Sequence, residues 1–340
     1  MLRRKIKMKK VYSFNSELHR VTGVQKVLMD VHHAICEEYN AKVVGTLAYD
    51  KVNTDLNIKK SEYVRLRNPF MFYNSIVILH ERKFLMFFWI LNHFLFQKIK
   101  LVYIHHNIFD NKAWMCPMPK HIVAISNKGI ENLTNYFHAP KEHIYKIYNC
   151  VIDDVPKDFR KATYHKDKIK ILYVANIGMV KRQVELVKRL KGKLDKRIEI
   201  HFIGTGTKLN ELKALCEDDV NFVVDGYAND VHSRLLHSDY SMLFSSKEGL
   251  PITLIEATMS SLPIICNSVG GNTEIAVKGK NAFVTETWDD LIDILNSLPS
   301  ISDQEYLRMS RNSRDIYGQK FTFEAFKQHY LNLLGNLQHI

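Results

Sequence analysis

Short apolar runs alternate with longer segments of helical period along almost the whole chain. The runs have the length of strands, and the segments between them repeat apolar residues every three or four positions. In the first half, strands are predicted at residues 9–14, 42–47, 76–80, 100–105, 121–125 and 143–147, and helices at 24–39, 83–96 and 128–137. This alternation predicts β-α-β units and therefore a parallel sheet.

The second half repeats the alternation with greater regularity. Strands are predicted at residues 170–175, 199–203, 220–224, 240–244, 263–267 and 282–284, and helices at 183–190, 208–216, 229–236, 252–260, 288–295, 303–317 and 323–336. Between the halves, residues 153–168 are polar, highly charged and include Pro156, which is typical of a linker. We therefore predict an α/β fold with two doubly wound, Rossmann-like domains facing each other across a cleft, at residues 1–155 and 156–318. That cleft is the expected ligand site.

Composition places the chain among soluble globular proteins. Of its 340 residues, 46% are hydrophobic and 25% are charged, and the length fits two domains. The apolar runs fall short of the ~18–20 residues that a membrane span needs, and no signal peptide is predicted. Five scattered cysteines without a CxxC pair favour a reducing cytoplasm over a disulfide framework or a zinc site.

The net charge of +12 favours anionic partners. Patterns typical of nucleic-acid-binding proteins are missing from the sequence, so phosphorylated ligands and an anionic membrane face are the preferred partners. The apolar helix predicted at 83–96 also suits a membrane surface, although a buried core helix is its simpler interpretation. The charge has a further interpretation, namely that it only maintains solubility.

The most informative motif places two carboxylates eight positions apart, Glu248 in a loop and Glu256 in the helix that follows. The residues between them begin Gly249-Leu250-Pro251-Ile252, which predicts a turn leading into a helix. A loop carboxylate and a helix carboxylate then reach one cleft from different heights. This arrangement suits a ligand with two hydroxyl-bearing parts, such as a sugar nucleotide.

Loops after the other predicted strands of the second half add basic and glycine residues. After strand 170–175 come Asn176, Gly178, Lys181 and Arg182, and basic side chains just before a helix suit a diphosphate. An ordinary loop with solvated charges is the alternative. Further candidates follow strands 199–203 and 263–267, namely Gly204, Gly206, Gly270, Gly271 and Glu274. Glycines in such turns permit close approach of a ligand or simply close packing.

In the first half, Gly23 forms a turn before a helix, and His105 and His106 end a predicted strand. Such histidines are candidates for polar contact with a substrate, or are packed or surface residues. The sequence has neither the histidine spacing typical of a metal site nor an Asp-x-Asp motif. A metal is therefore not expected. A diphosphate would then be neutralised by Lys181 and Arg182.

The block from Glu248 to Ile265, followed by Val269-Gly-Gly-Asn-Thr-Glu274, resembles the donor site of family 4 retaining glycosyltransferases of the GT-B fold, including those of bacterial polysaccharide synthesis. Weaker likenesses at 125–128, 148–153, 202–206 and 225–246 extend this resemblance over most of the chain. It implies that residues 1–155 bind the acceptor, that 156–318 bind the donor, and that the helix in 319–340 crosses back to the first domain.

The resemblance also implies roles for single residues. Glu256 would bind the ribose hydroxyls, Glu248 would lie against the donor sugar, and Lys181 would hold the diphosphate. Amides around Gly270 and Gly271 would approach the sugar or phosphate, and Gly23 would let the diphosphate approach the first domain. His105 or His106 would lie near the transferred sugar. The family often has Arg five residues before the diphosphate Lys, and this chain has Asn176 there, with Arg182 as a possible substitute.

We therefore expect a metal-independent hexosyltransferase without a cofactor, working in the cytoplasm or on the inner membrane face. It would move sugar from a nucleoside diphosphate donor, with a UDP-sugar as the expected donor, to a saccharide or lipid-linked acceptor for capsule or lipopolysaccharide. One alternative is another enzyme on the same fold, such as an epimerase or a phosphorylase. A second is a non-catalytic sugar-nucleotide-binding partner of another transferase. A nucleic-acid-binding protein is the least favoured.

Overall fold

A computed structural model of the chain describes residues 10–156, 159 and 164–338. It divides the chain into two compact units, one formed by residues up to Cys150 together with those from Phe323 onward, and one formed by Val151–Thr322. Each unit is built on its own parallel sheet. None of the described helices is long and apolar enough to cross a membrane.

The first unit has a seven-stranded parallel sheet with strand order β3-β2-β1-β4-β5-β6-β7. Its strands are β1 (Lys10–Phe14), β2 (Asn40–Gly45), β3 (Tyr63–Arg65), β4 (Ile76–Leu79), β5 (Lys100–His105), β6 (His121–Ala124) and β7 (Ile144–Lys146). Its helices are α1 (Gly23–Ile35), α2 (Leu85–His93), α3 (Asn127–Asn135) and α11 (Phe323–Gln338). The strand order reverses between β1 and β4, the place where doubly wound sheets bind ligands.

Buried side chains explain why these segments form the first unit. All four residues of β4 are buried, as expected for a central strand covered on both faces. Phe14, Phe72 and Phe88 form an aromatic cluster, in which the Phe72 and Phe88 ring centroids lie 5.2 Å apart. Helix α1 begins with a reciprocal capping box between Thr22 and Gln25, which satisfies backbone donors at its first turn.

The second unit has a six-stranded parallel sheet with strand order β10-β9-β8-β11-β12-β13. Its strands are β8 (Ile169–Val174), β9 (Ile198–Ile203), β10 (Phe222–Gly226), β11 (Tyr240–Leu243), β12 (Ile264–Cys266) and β13 (Ala282–Val284). Its helices are α4 (Gln183–Leu190), α5 (Leu209–Cys216), α6 (Val231–Leu236), α7 (Ile252–Met259), α8 (Asn272–Ile275), α9 (Trp288–Ser297) and α10 (Asp303–Lys320).

The predicted α/β class with two doubly wound parallel sheets is confirmed. The observed units divide a few residues away from the predicted limits at 155 and 318. The Val151 amide donates to the Phe321 carbonyl at 3.1 Å, and Arg314 bonds Asp153 at 3.2 Å, so the start of the polar segment belongs to the second unit. Helix α11 belongs to the first unit, where it packs against α1.

Strand β3 and helix α8 were not predicted. β3 has three residues at the edge of its sheet, and α8 has four residues, so both are too short to show a period. The predicted helix 83–96 is shorter, because α2 ends at His93 and the chain turns at Phe96, whose φ is 44°.

We predict that Phe88→Ala destabilises the first unit by about 3–5 kcal/mol, because it removes a fully buried ring from the aromatic cluster. Phe94→Ala is the matched control, since Phe94 follows the same helix and is 67% exposed. Urea unfolding measures both. Equal losses for the two variants would contradict the assignment of Phe88 to the core.

Candidate functional site

The loop after β8 and the loop after β9 lie against each other at the carboxyl edge of the second sheet. The Ile177 amide donates to the Thr205 carbonyl at 2.8 Å, and the Asn176 side chain donates to the same carbonyl at 2.9 Å. At Gly204, where φ is 144°, an added Cβ would lie 2.0 Å from the Ala175 carbonyl oxygen. Gly206 meets the Ile177 carbonyl in the same way at 2.2 Å. Both glycines are therefore required by loop packing.

Lys181 forms an ion pair with Glu248 beside these loops. The Lys181 Nζ lies 2.5 Å from Glu248 Oε1, and the two side chains are 24% and 7% exposed. This ammonium and this carboxylate come from loops that follow neighbouring strands, β8 and β11. The structure thus joins two predicted site residues that are 67 positions apart in the sequence.

Tyr173 on β8 fixes the loop that carries Lys181. Its hydroxyl donates to the Lys181 carbonyl and accepts from the Phe244 amide, which lies 3.0 Å away. Burial raises the pKa of Tyr173 well above its ordinary value, so the hydroxyl stays protonated and remains a donor. A further bond, from the Ser246 amide to the Val180 carbonyl at 2.8 Å, ties the two loops together.

The glycine pair after β12 supports the backbone of Glu248. At Gly270, where φ is 60°, an added Cβ would lie 2.0 Å from the Glu248 carbonyl oxygen. The Gly271 amide donates to the Gly249 carbonyl at 2.9 Å. Because these contacts leave no room for a side chain, Gly270 has a structural reason to be glycine whatever ligand binds nearby.

Glu256 lies five residues into the helix predicted after Pro251. The structure begins α7 at Ile252, and Glu256 is half-buried while Leu254 and Ile255 are fully buried. Leu250 and Pro251 are buried at the entrance to this helix. Glu274 lies in α8, which packs against α7. Glu256 and Glu274 are therefore carried by neighbouring helices of the second unit.

Arg182 is placed differently from the expectation that it assists Lys181. Its guanidinium makes two bonds to Glu185, at 2.8 and 3.1 Å, and lies 4.6 Å from the Trp288 ring centroid. The bond from Glu185 raises the pKa of Arg182, and the reciprocal bond lowers the pKa of Glu185. Arg182 also adopts a left-handed conformation, with φ at 55°, directly before α4. These contacts make it a brace for the start of α4.

In the first unit, His105 turns out to be a core residue. It is 1% exposed, lies 3.0 Å from the Asn132 side chain, and packs against the rings of Phe109 and Phe137. Burial lowers the pKa of His105 to about 4, so the ring is neutral near pH 7. The expectation that His105 contacts a substrate is thus not supported by its position.

His106 lines a cavity of about 340 Å³ at the carboxyl edge of the first sheet. Its Nε2 lies 3.2 Å from Nδ1 of His80, and the two rings are stacked. Burial lowers the pKa of His106 to about 3, and it lowers the pKa of His80 as well. The second nitrogen of His80 has no hydrogen-bond partner among the described residues. The sequence analysis treated His80 only as the last residue of a strand. Its position at the carboxyl end of that strand could have marked it as a candidate site residue, as it did for His105 and His106.

Gly23 is the first residue of α1 and is exposed, and its neighbours Thr22, Val24 and Gln25 line the same cavity. The cavity wall also includes Arg82 and Lys83. Within the part of the chain that the structure describes, no group of three His, Cys, Asp or Glu side chains is arranged to hold a metal ion.

Comparison with known proteins finds a family-level similarity in the second unit. Residues 154–316 match the sequence model of the family described as glycosyl transferases group 1. The matched segment contains Lys181, Glu248 and Glu256 and covers slightly less than half of the chain.

Individual relatives agree with this similarity. The chain is 28% identical over 143 residues to UDP-Gal:alpha-D-GlcNAc-diphosphoundecaprenol alpha-1,3-galactosyltransferase of Escherichia coli, covering 39% of this chain and 37% of that protein. It is 26% identical over 225 residues to capsular polysaccharide biosynthesis glycosyltransferase CapH of Staphylococcus aureus, covering 62% of this chain and 60% of that protein. The chain thus spans less than two thirds of the length of these relatives.

The fold also matches a solved structure over nearly its whole length. Anabaena Alr3699/HepE in complex with UDP superposes with a TM-score of 0.80 and 16% identity, covering 97% of this chain and 100% of that one. The same protein has been solved in complex with UDP-glucose. At this identity the match establishes a shared fold.

We predict that Gly270→Ala destabilises the second unit more than Gly279→Ala does. Both residues have positive φ, at 60° and 75°, so each alanine pays a conformational cost of about 1–2 kcal/mol. A Cβ at Gly279 has nothing within 4 Å, whereas one at Gly270 collides with the Glu248 backbone. Thermal unfolding of both variants isolates that collision, and equal shifts would disprove the close packing.

We also predict that acid weakens the first unit through its neutral histidines. Below the ordinary histidine pKa of about 6.5, His105 binds a proton in the unfolded chain but stays neutral in the folded one. The free energy of unfolding therefore falls by about 1.4 kcal/mol per pH unit for each such group. His105→Phe should therefore lose less stability than wild type between about pH 7 and pH 5. Urea unfolding at both values, with the exposed His19→Gln as control, measures the difference. Parallel losses in all three proteins would contradict it.

Proposed function

We propose that the protein is a metal-independent, retaining glycosyltransferase. It transfers a hexose-type sugar from a UDP-sugar to a hydroxyl of a glycan or lipid-linked acceptor during synthesis of a cell-surface polysaccharide. The observation that carries the proposal is the Lys181–Glu248 ion pair, which lies at the carboxyl edge of the sheet in the segment that matches the glycosyl transferases group 1 family. The names of the relatives support the polysaccharide pathway and the UDP-linked donor.

Lys181 is the proposed partner of the donor diphosphate. Its charge is compensated by Glu248, whose carboxylate is almost fully buried. A diphosphate brings a stronger negative charge to the same ammonium and competes with Glu248 for it. The start of α4, which follows Lys181 by two residues, adds the positive end of a helix dipole. Together these features provide charge compensation for the diphosphate without a metal.

The transfer then proceeds on one face of the sugar. The bond between the anomeric carbon and the diphosphate oxygen breaks, and its electron pair stays on the diphosphate, where Lys181 stabilises the developing charge. The acceptor oxygen bonds to the anomeric carbon from the same face and gives its proton to the departing phosphate oxygen. Glu248 stays beside the sugar and stabilises positive charge near the anomeric carbon. Retention of configuration follows without a protein nucleophile.

Glu256 is the proposed ligand of the ribose hydroxyls, and the neutral pair of His80 and His106 is proposed to contact sugar or acceptor. Because the pKa of each histidine is lowered by burial, the pair acts through hydrogen bonds and carries no charge near pH 7. The acceptor side of the reaction is assigned to the first unit. The proposed location is the cytoplasm, with peripheral attachment to the inner membrane face.

We predict that Lys181→Ala lowers turnover by about 10²–10³-fold, since it removes the charge that stabilises the leaving diphosphate. Release of UDP from a UDP-sugar, with and without crude membrane acceptors, measures the effect. Lys188→Ala is the control, because Lys188 lies on α4 and pairs with Glu211 on the surface. Thermal unfolding checks that both variants fold. Unchanged turnover of Lys181→Ala with normal donor affinity would defeat the assignment.

We further predict that UDP raises the unfolding temperature of the wild type in the presence of EDTA and fails to do so for Glu256→Ala. A ligand at 100 times its Kd adds about 2.7 kcal/mol of stability, which a thermal scan resolves. GDP, ADP and dTDP serve as the comparison panel. Stabilisation by another nucleotide class would correct the proposed donor. Equal stabilisation of wild type and Glu256→Ala would remove Glu256 from the site.

A further inference from the structure

The first unit exposes a group of large apolar side chains around the end of α2. Leu85, Phe88 and Leu91 bury one side of this helix in the core. Ile90 and His93 on the helix and the turn that follows it are exposed, with Phe94 at 67% and Phe96 at 74%. We name as the apolar patch Ile90, Phe94, Leu95 and Phe96 together with Phe70 and Tyr73, which are exposed on the segment before β4.

The two segments of the apolar patch are fastened to each other and to the core. The Asn74 amide donates to the Gln97 carbonyl at 2.9 Å, which joins the segment before β4 to the turn after α2. The Asn92 side chain bonds both the amide and the carbonyl of Ile99, each at 2.8 Å. Phe94, Leu95 and Phe96 are thus held outward by an ordered turn.

The backbone of this turn is costly for the residues that occupy it. Phe96 and Lys98 have φ angles of 44° and 53°. These lie in the left-handed region, which residues other than glycine and asparagine rarely adopt. The side chain of Phe96 is 74% exposed, so burial within the unit offsets little of this cost. An exposed apolar group of this size is typical of an interaction surface.

A basic groove lies next to the apolar patch. It has a volume of about 440 Å³ and is lined by Lys10, Lys42, Arg65 and Arg67, together with Asn68 and Met71, the latter adjoining Phe70 in the chain. Its described lining residues include no carboxylate. Lys98, in the turn itself, is exposed and adds a further positive charge. Aromatic rings beside basic side chains match the chemistry of an anionic membrane interface.

We propose that the apolar patch and the basic groove together dock the protein on a bilayer of anionic phospholipid. The rings enter the boundary between headgroups and acyl chains, while Lys98 and the arginines of the groove meet lipid phosphates. This proposal builds on the peripheral location given above by assigning it a surface. It does not depend on sugar transfer, because vesicle binding requires no donor.

The test is co-sedimentation of the full chain with vesicles of phosphatidylcholine alone or mixed with phosphatidylglycerol. Phe94→Ser/Phe96→Asn removes two exposed rings, and asparagine tolerates the left-handed backbone at Phe96. Arg67→Glu/Lys98→Glu reverses two charges. The matched controls in the second unit are Val220→Ser/Ile152→Ser, whose side chains are 70% and 54% exposed, and Lys196→Glu/Lys213→Glu.

We expect wild type and both controls to bind the anionic vesicles. Each patch variant should bind about tenfold more weakly or worse, and added salt should weaken wild-type binding. Wild type that ignores the vesicles, or patch variants that bind as wild type does, would overturn the proposal. So would self-association of the wild type that Phe94→Ser/Phe96→Asn abolishes, because the patch then meets a second copy. Stabilisation by UDP, measured on the same proteins, separates failure here from failure of the proposed function.

Discussion

Close backbone packing between loops at the carboxyl edge of the second sheet is the constraint on which the candidate site depends. Gly204, Gly206 and Gly270 each bring one loop so near another that an added Cβ would meet a carbonyl oxygen at 2.0–2.2 Å. This stacking fixes the backbone of Glu248 and of the residues before Lys181. Because their supports are main-chain atoms, the two charged side chains meet in a defined place.

The same packing buries Glu248 and thereby determines the electrostatic role of the Lys181–Glu248 ion pair. Glu248 is almost fully buried, and a carboxylate in that position needs a cation nearby. Lys181 meets that need and is itself partly exposed, so it keeps a side open to an incoming anion. A lysine that is paired with a carboxylate and still accessible to a stronger anion suits reversible binding of a diphosphate.

The sequence predicted the second unit well because its pattern is strongly periodic and its motif is compact. Strands such as 170–175 and 199–203 agree with β8 and β9 within a residue, and the helix expected at 252–260 is α7. Short elements such as β3 could not be predicted, because three residues at a sheet edge are too few to show a periodic pattern of apolar residues. The turn at Phe96 was also missed, because a left-handed aromatic residue follows no rule of local propensity.

At the site, residue types were predictable and their partners were not. The sequence singled out Lys181 and Glu248 separately, but their contact depends on the order of strands in the sheet. The sequence suggested Arg182 as a second cation for the diphosphate. In the structure its guanidinium instead bonds Glu185, three residues further along the chain, and lies over the ring of Trp288, which is distant in sequence. The sequence could not distinguish His105 from His106. In the structure His105 points into the core beside Asn132, and His106 lies at the cavity beside His80.

The most direct test of the central claim is a crystal structure of the protein with UDP, grown in the presence of EDTA. We expect UDP at the carboxyl edge of the second sheet, with Lys181 Nζ within about 2.7–3.2 Å of a diphosphate oxygen. We also expect Glu256 to contact the ribose. A structure in which Lys181 contacts only Glu248 and the diphosphate is held elsewhere would contradict the proposed role of Lys181.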